Sequence, residues 1–207
     1  MQSLSEITEV LKGYQPTFTA VVPFEPASDK IIVLDFTEHN KEITEDILSC
    51  TQKFSDYIYQ KLKKEKALYG VGGYNEHRTV YSMSKVFDGG KPGEEPRRLH
   101  LGIDIWGKPY TKVMAPMDGI VHSFAFNNRF GDYGATIILM HILENLTFYS
   151  LYGHLSLNSI KNIQEGDRVA KGDVFAEFGV PAENGQWPPH LHFQLIKHWL
   201  LFCFHLR

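Results

Sequence analysis

The feature that most constrains the fold is a change of pattern after Arg98. From there to Ile196 the chain reads as short runs of β-branched and aromatic residues between glycine-bearing turns: LHLGIDIW, DGIVHSFAF, GATIILMHI, LTFYSLYGHL, DVFAEFG and HLHFQLI. Such runs fit pleated, half-buried strands, and no long helical period interrupts them. The expected fold is mainly β, an antiparallel sandwich or open barrel with a groove, over residues 98–195.

A small α+β segment, residues 1–90, precedes it. Leu4, Ile7, Val10 and Leu11 predict an amphipathic helix over 2–12, closed by Pro16. Residues 31–36 read as a strand. Thr44 reads as the cap of a helix whose apolar face carries Ile47, Leu48, Phe54, Ile58 and Leu62 and which runs to the lysines near Lys66. Glycines and prolines from Gly70 to Arg98 predict loops, with a linker at 88–97. Residues 196–207 form an atypical apolar tail that the pattern assigns to neither strand nor helix.

With 43% apolar residues among 207, the chain can bury a core, and its formal charge of -3 argues against a general nucleic-acid binder. No apolar run reaches the roughly 18 residues of a membrane span. The first residues lack the marks of a secretory signal, so the expected location is cytoplasmic. Cys50 and Cys203 have no metal-ligand spacing and read as ordinary thiols.

Chemistry concentrates in three strands. In HLGID, residues i, i+2 and i+4 share a face, so His100 and Asp104 project together. Gly102 between them is expected to leave space for a metal and its water, and Leu101, Ile103 and Ile105 to enter a core. In HLHFQL the same period sets His190 and His192 on one face and Leu191, Phe193 and Leu195 on the other. In LYGHLS it pairs Tyr152 with His154, opposite Leu151, Gly153 and Leu155. Two histidines and one carboxylate suit a zinc site that keeps a position open for water or substrate, and the helix-borne H-E-x-x-H signature is absent. A lone histidine on such a strand reads as a solvated polar residue; the patterned pairs do not. His39, His77, His122, His141, His198 and His205 fall in no such pattern, and His122 and His141 are expected on the solvated face of the sheet.

In this order, H-x-x-x-D at His100–Asp104, G-H-L-S at His154 and H-x-H at His190–His192 resemble the lysostaphin/LytM-type metallopeptidases. The flanking VMAPMDGIV, GDYGATIIL and GDRVAKGDVFAEFG resemble the same family's text, and the likeness spans roughly 98–195. The resemblance implies a β-sheet core with an open groove, zinc on His100, Asp104 and His192, and catalytic roles for His154 and His190. It implies a peptide substrate, typically in bacterial peptidoglycan stem peptides or cross-bridges. An alternative expectation is a regulatory or interaction module with an intact but unused metal site. A carrier domain of the phosphohistidine or lipoyl type, suggested by GDRVAKGD, fits worse, because Asp104 beside an accepting histidine would repel a phosphate.

Overall fold

The amphipathic spacing at the start of the chain yields α1 (Leu4–Tyr14), followed by a 3-10 turn, Gln15–Thr17, that contains Pro16. A computed structural model describes residues 4–78 and 99–197. The expected linker at 88–97 and the tail beyond residue 197, with Cys203, His198 and His205, lie outside the described residues. Ile7 of α1 is buried against Met117, Leu146 and Phe148.

The chain continues through β1 (Ile31–Leu34), α2 (Glu45–Leu48), α3 (Thr51–Glu65), β2 (Tyr69–Gly72), β3 (Glu76–His77), β4 (Leu99–His100) and β5 (Ile103–Trp106). It then forms β6 (Lys112–Met114), β7 (Gly119–Asn127), β8 (Gly134–Leu143), β9 (Leu146–Leu155), β10 (Arg168–Val169), β11 (Val174–Glu177) and β12 (His190–Ile196). Among the described residues, eight strands make one sheet in the order β1-β2-β5-β12-β9-β8-β7-β10. Its pairs are antiparallel except β1–β2, which is parallel. β6 pairs with β11 and β3 with β4 in two small sheets. The protein is mainly β with a few N-terminal helices, as expected.

Two N-terminal expectations change. The helix from Thr44 is two helices. Thr44 caps α2 by accepting from Ile47 N, but Cys50 is extended and restarts the chain as α3. At about 100° per residue, one straight helix would turn Leu48 roughly 120° away from Phe54. The break lets Leu48, Phe54 and Ile58 enter one core with Leu34, Phe36, Trp106 and Trp187. The second change is β2, which occupies a stretch expected to be loop. Gly70 and Gly72 serve there as flat seats: a Cβ would fall 2.4 Å from Leu34 Cδ1 at Gly70 and 2.5 Å from Arg78 Nη2 at Gly72. Glycine in a strand can mark such close approach as well as a turn.

Strand alternation separates the two main cores. Ile105 packs toward the cluster of Val113, Ile137, Leu139, Tyr152, Phe178 and Leu191, whereas its neighbour Trp106 joins the cluster under α2 and α3. Asp104 shares the pleat of Trp106, so α2 and α3, which pack with Trp106, lie on the sheet face that carries Asp104. No described helix is long and apolar enough to cross a membrane. Cys50 is an exposed free thiol.

Candidate metal centre

β12 lies between β5 and β9, with His192 opposite Asp104 on one side and opposite Gly153 on the other. Asp104 and His192 therefore share a face, and β4 delivers His100 beside them. The ligand-type atoms form a tight triangle: His100 Nε2 lies 3.2 Å from Asp104 Oδ1 and 3.0 Å from His192 Nδ1, which is 3.0 Å from Asp104 Oδ1. Among the described residues these three make a group able to hold a metal ion, and all three are buried.

The rings are oriented from behind. His100 Nδ1 donates to Gly73 O at 2.8 Å, and His192 Nε2 donates to Gln194 Oε1 at 3.3 Å. In the neutral rings this leaves the lone pairs on His100 Nε2 and His192 Nδ1, aimed into one small space with a carboxylate oxygen. Three electron-rich atoms this close and this buried suit a cation between them. Although burial pushes the Asp104 carboxyl up, His100, Arg78 and His190 hold it well below the usual carboxylate range.

The strand arithmetic holds only in part. Gly102 does make room, but for the His192 ring: a Cβ there would lie 2.6 Å from His192 Cε1 and Nε2 and 2.8 Å from Phe193 O. Leu101 and Ile103, expected in a core, are 51% and 40% exposed: Leu101 lies in the break between the β3–β4 pair and the large sheet, and Ile103 is the first residue of β5. Leu195 is also exposed at 44%, whereas Leu191 is fully buried.

A larger correction concerns β9. Tyr152 does not share a face with His154; it is fully buried in the core, beside Phe175 and Phe193, with its hydroxyl 3.0 Å from Ser150 Oγ. The register slips between Ala135 and Ile137 of β8, and His154 adopts a left-handed φ of 62°. This bulge breaks the period of two and turns His154 onto the face of Gly153 and His192. His154 then stacks on His190 with ring centroids 4.1 Å apart.

Both of these rings are fixed by carbonyls. His154 Nδ1 donates to Asn184 O at 2.7 Å and His190 Nδ1 to Pro188 O at 2.8 Å, so Nε2 is the basic nitrogen of each. Burial, with the neighbouring His190, holds His154 well below the usual imidazole value. Burial likewise brings His190 down to about 4, against the opposing pull of Asp104. His190 Nε2 sits 3.9 Å from Asp104 Oδ2.

Several site residues carry no pattern visible in the sequence. Arg78 is 2% exposed and pairs through Nη1 with Asp104 Oδ2 and through Nε with Glu76 Oε2, 2.7 Å away. Its neighbour His77 is exposed. Asn184 is fully buried and ties the loop before β12, donating to Gly179 O and Trp187 O and accepting from Trp187 N. The one cue was polarity among glycines and aromatics in GGYNEHR and ENGQWPPH, which alone does not separate a loop from a scaffold. His141, expected on the solvated face, is 1% exposed; its Nδ1 donates to Asp118 O and its Nε2 meets Ser150 Oγ at 2.6 Å. His122 is half-buried and touches Ser123 Oγ and the Tyr149 ring.

An open β-sheet gathers two histidines and an aspartate at one metal-sized point, with two more imidazoles alongside, and so forms a strand-borne candidate metal centre. Residues 98–200 match the model of Peptidase family M23, and through this segment the chain belongs to that family. It is 30% identical over 151 residues to the L-Ala--D-Glu endopeptidase of Bacillus subtilis (strain 168), covering 68% of this chain and 44% of that protein. It is 33% identical over 97 residues to an uncharacterized metalloprotease of Haemophilus influenzae, covering 47% of this chain and 18% of that one. The chain thus spans less than half the length of either relative. The catalytic domain of the antimicrobial peptidase lysostaphin from Staphylococcus simulans aligns with a TM-score of 0.41 and 26% identity, covering 50% of this chain and 71% of that domain.

Proposed function

We propose that this protein is a zinc-dependent endopeptidase acting on peptide bonds of peptidoglycan, in stem peptides or cross-bridges. The observation that carries the reading is the side-by-side placement of the His100, Asp104 and His192 triangle and the stacked His154–His190 pair. The family match and the endopeptidase name of the Bacillus subtilis relative support the substrate class.

His100, Asp104 and His192 would hold the metal through Nε2, Oδ1 and Nδ1. When bound, zinc supplies Lewis acidity, lowering the pKa of water toward neutrality and polarising the scissile carbonyl. His154 and His190 are neutral at pH 7 because burial disfavours their cations, and each offers an unprotonated Nε2. One of them accepts the proton of the attacking water as general base and returns it to the leaving amine. Two cationic rings at this stacking distance would repel, so the pair takes one proton at a time. The Nδ1 bonds to Asn184 O and Pro188 O hold both rings in place while Nε2 gains and loses its proton.

The test is zinc stoichiometry on the purified chain, together with mass analysis of peptidoglycan digests. His192→Ala should lose metal and activity together. His154→Ala should keep the metal and lose turnover by about 10²–10⁴-fold. Full activity in His192→Ala would refute the ligand set. A zinc-loaded chain that never cuts peptidoglycan would instead favour the regulatory module.

A further inference from the structure

Two of the three ligand-type residues are held from the N-terminal segment, outside the strands that bear the site. Gly73 O accepts from His100 Nδ1, and Asn75 N donates to His100 O at 2.8 Å. β3 pairs with β4 so that Glu76 lies opposite His100. Glu76 Oε1 accepts from Phe36 N at 3.1 Å and Oε2 from Arg78 Nε at 2.7 Å. The Arg78 guanidinium lies over the Phe36 ring, 5.2 Å from its centroid, and Gly72 leaves the space it fills. Glu76, Phe36 and the flat seat at Gly72 fix Arg78 from three sides, and Nη1 engages Asp104 Oδ2.

We propose that Arg78 is a positioning residue of the metal centre: it occupies Oδ2 of Asp104 and so restricts that carboxylate to one-oxygen ligation through Oδ1. The inference rests on the ligand set proposed above. The two oxygens of Asp104 already divide their roles, Oδ1 facing His100 and His192 and Oδ2 facing Arg78. A carboxylate free to turn could ligate through both oxygens and fill the position a catalytic site keeps open. Arginine suits the task because its planar fork engages Glu76 and Asp104 at once in fixed directions, which an ammonium cannot do. The segment before the family-matching region thereby becomes part of the metal centre.

The experiment uses the full chain and four proteins: wild type, Arg78→Met, Arg78→Lys and His192→Ala. Zinc affinity is measured by chelator competition, folding by circular dichroism, and coordination by the visible spectrum of the cobalt-substituted protein. Folded Arg78→Met should bind zinc about 10–100-fold more weakly, the range for loss of a partner behind a ligand. Arg78→Lys should recover part of that loss. The cobalt bands of both should weaken as the carboxylate adds a second oxygen to the coordination, a change that loss of fold stability alone does not produce. Wild-type affinity and an unchanged cobalt spectrum in either folded variant would overturn the proposal. If Arg78→Met does not fold, Arg78→Lys decides it by the same two readouts. His192→Ala separates the two readings: if it keeps the metal, the ligand set fails and this inference falls with it, whereas loss of metal there with wild-type behaviour at Arg78 defeats Arg78 alone.

Discussion

The imidazole of His190 lies flat on the indole of Trp106, ring centroids 3.8 Å apart and 14° from parallel. The same indole is 5.2 Å from the Phe36 ring and 5.8 Å from the Phe54 ring. One side chain thus links Phe54 of α3 and Phe36, just past β1, to a histidine of the site. The register makes this unavoidable, since His190 and Trp106 are directly opposed on β12 and β5.

Trp106 is 2% exposed, so its removal opens a large cavity. Trp106→Ala should lower stability by about 3–5 kcal/mol, whereas Trp106→Phe keeps a ring under His190 and should cost less. Denaturant unfolding of both variants checks the ordering. Equal losses would mean that a ring kept under His190 recovers nothing, neither volume nor stacking.

His154 holds a left-handed φ of 62°, a conformation that costs a residue bearing Cβ about 1–2 kcal/mol relative to glycine. His154→Gly should therefore be more stable than His154→Ala by about that amount, although both lack the imidazole. Thermal melts of the two variants in metal-free buffer give the comparison. A more stable alanine variant would argue against the bulge at this position.

Gly102→Ala inserts a methyl 2.6 Å from the His192 ring and 2.8 Å from the Phe193 carbonyl. The cost to folding should be about 1–3 kcal/mol, as for other overpacked sites, with weaker metal binding because the displaced ring belongs to a proposed ligand. Zinc titration of the folded variant is the measurement. Unchanged affinity would show that His192 can reach its place by another rotamer.

Burial lowers the pKa of His141 from its ordinary 6.5, and the Asp118 carbonyl only partly opposes this. A histidine whose folded value lies below its unfolded one binds fewer protons when folded. Its contribution is complete above the unfolded value and is lost as pH falls from there toward the folded value. Stability should decline on acidification below about pH 6.5, with a slope of up to about 1.4 kcal/mol per pH unit from this residue. His141→Gln can keep a donor and an acceptor but cannot titrate, so its pH profile should be flatter. Identical slopes in the two proteins would show that His141 is not a source of the decline.

The legible part of this protein was whatever depends on neighbours in the chain. The helix at the N-terminus, the strands after residue 98 and the pairing of His190 with His192 follow from local period, and the cap at Thr44 from residue type, whereas His100 and Asp104 meet across the break between β4 and β5. Local period failed where the backbone departed from it: at Cys50, which splits one apolar face into two helices, and at His154, which a bulge turns away from Tyr152.

The sequence alone determined which side chains a regular strand, such as β12 with His190 and His192, would offer on a common face, because pleating is a property of each regular strand by itself. Tertiary structure alone decided which strands became neighbours, and with that the meeting of His192 with Asp104, the burial of His141, and the reach of Arg78 from a glycine-rich stretch to Asp104. Those contacts join residues far apart in the chain, and their geometry is set by sheet register and by the layer packed above it, which no short window of residues contains.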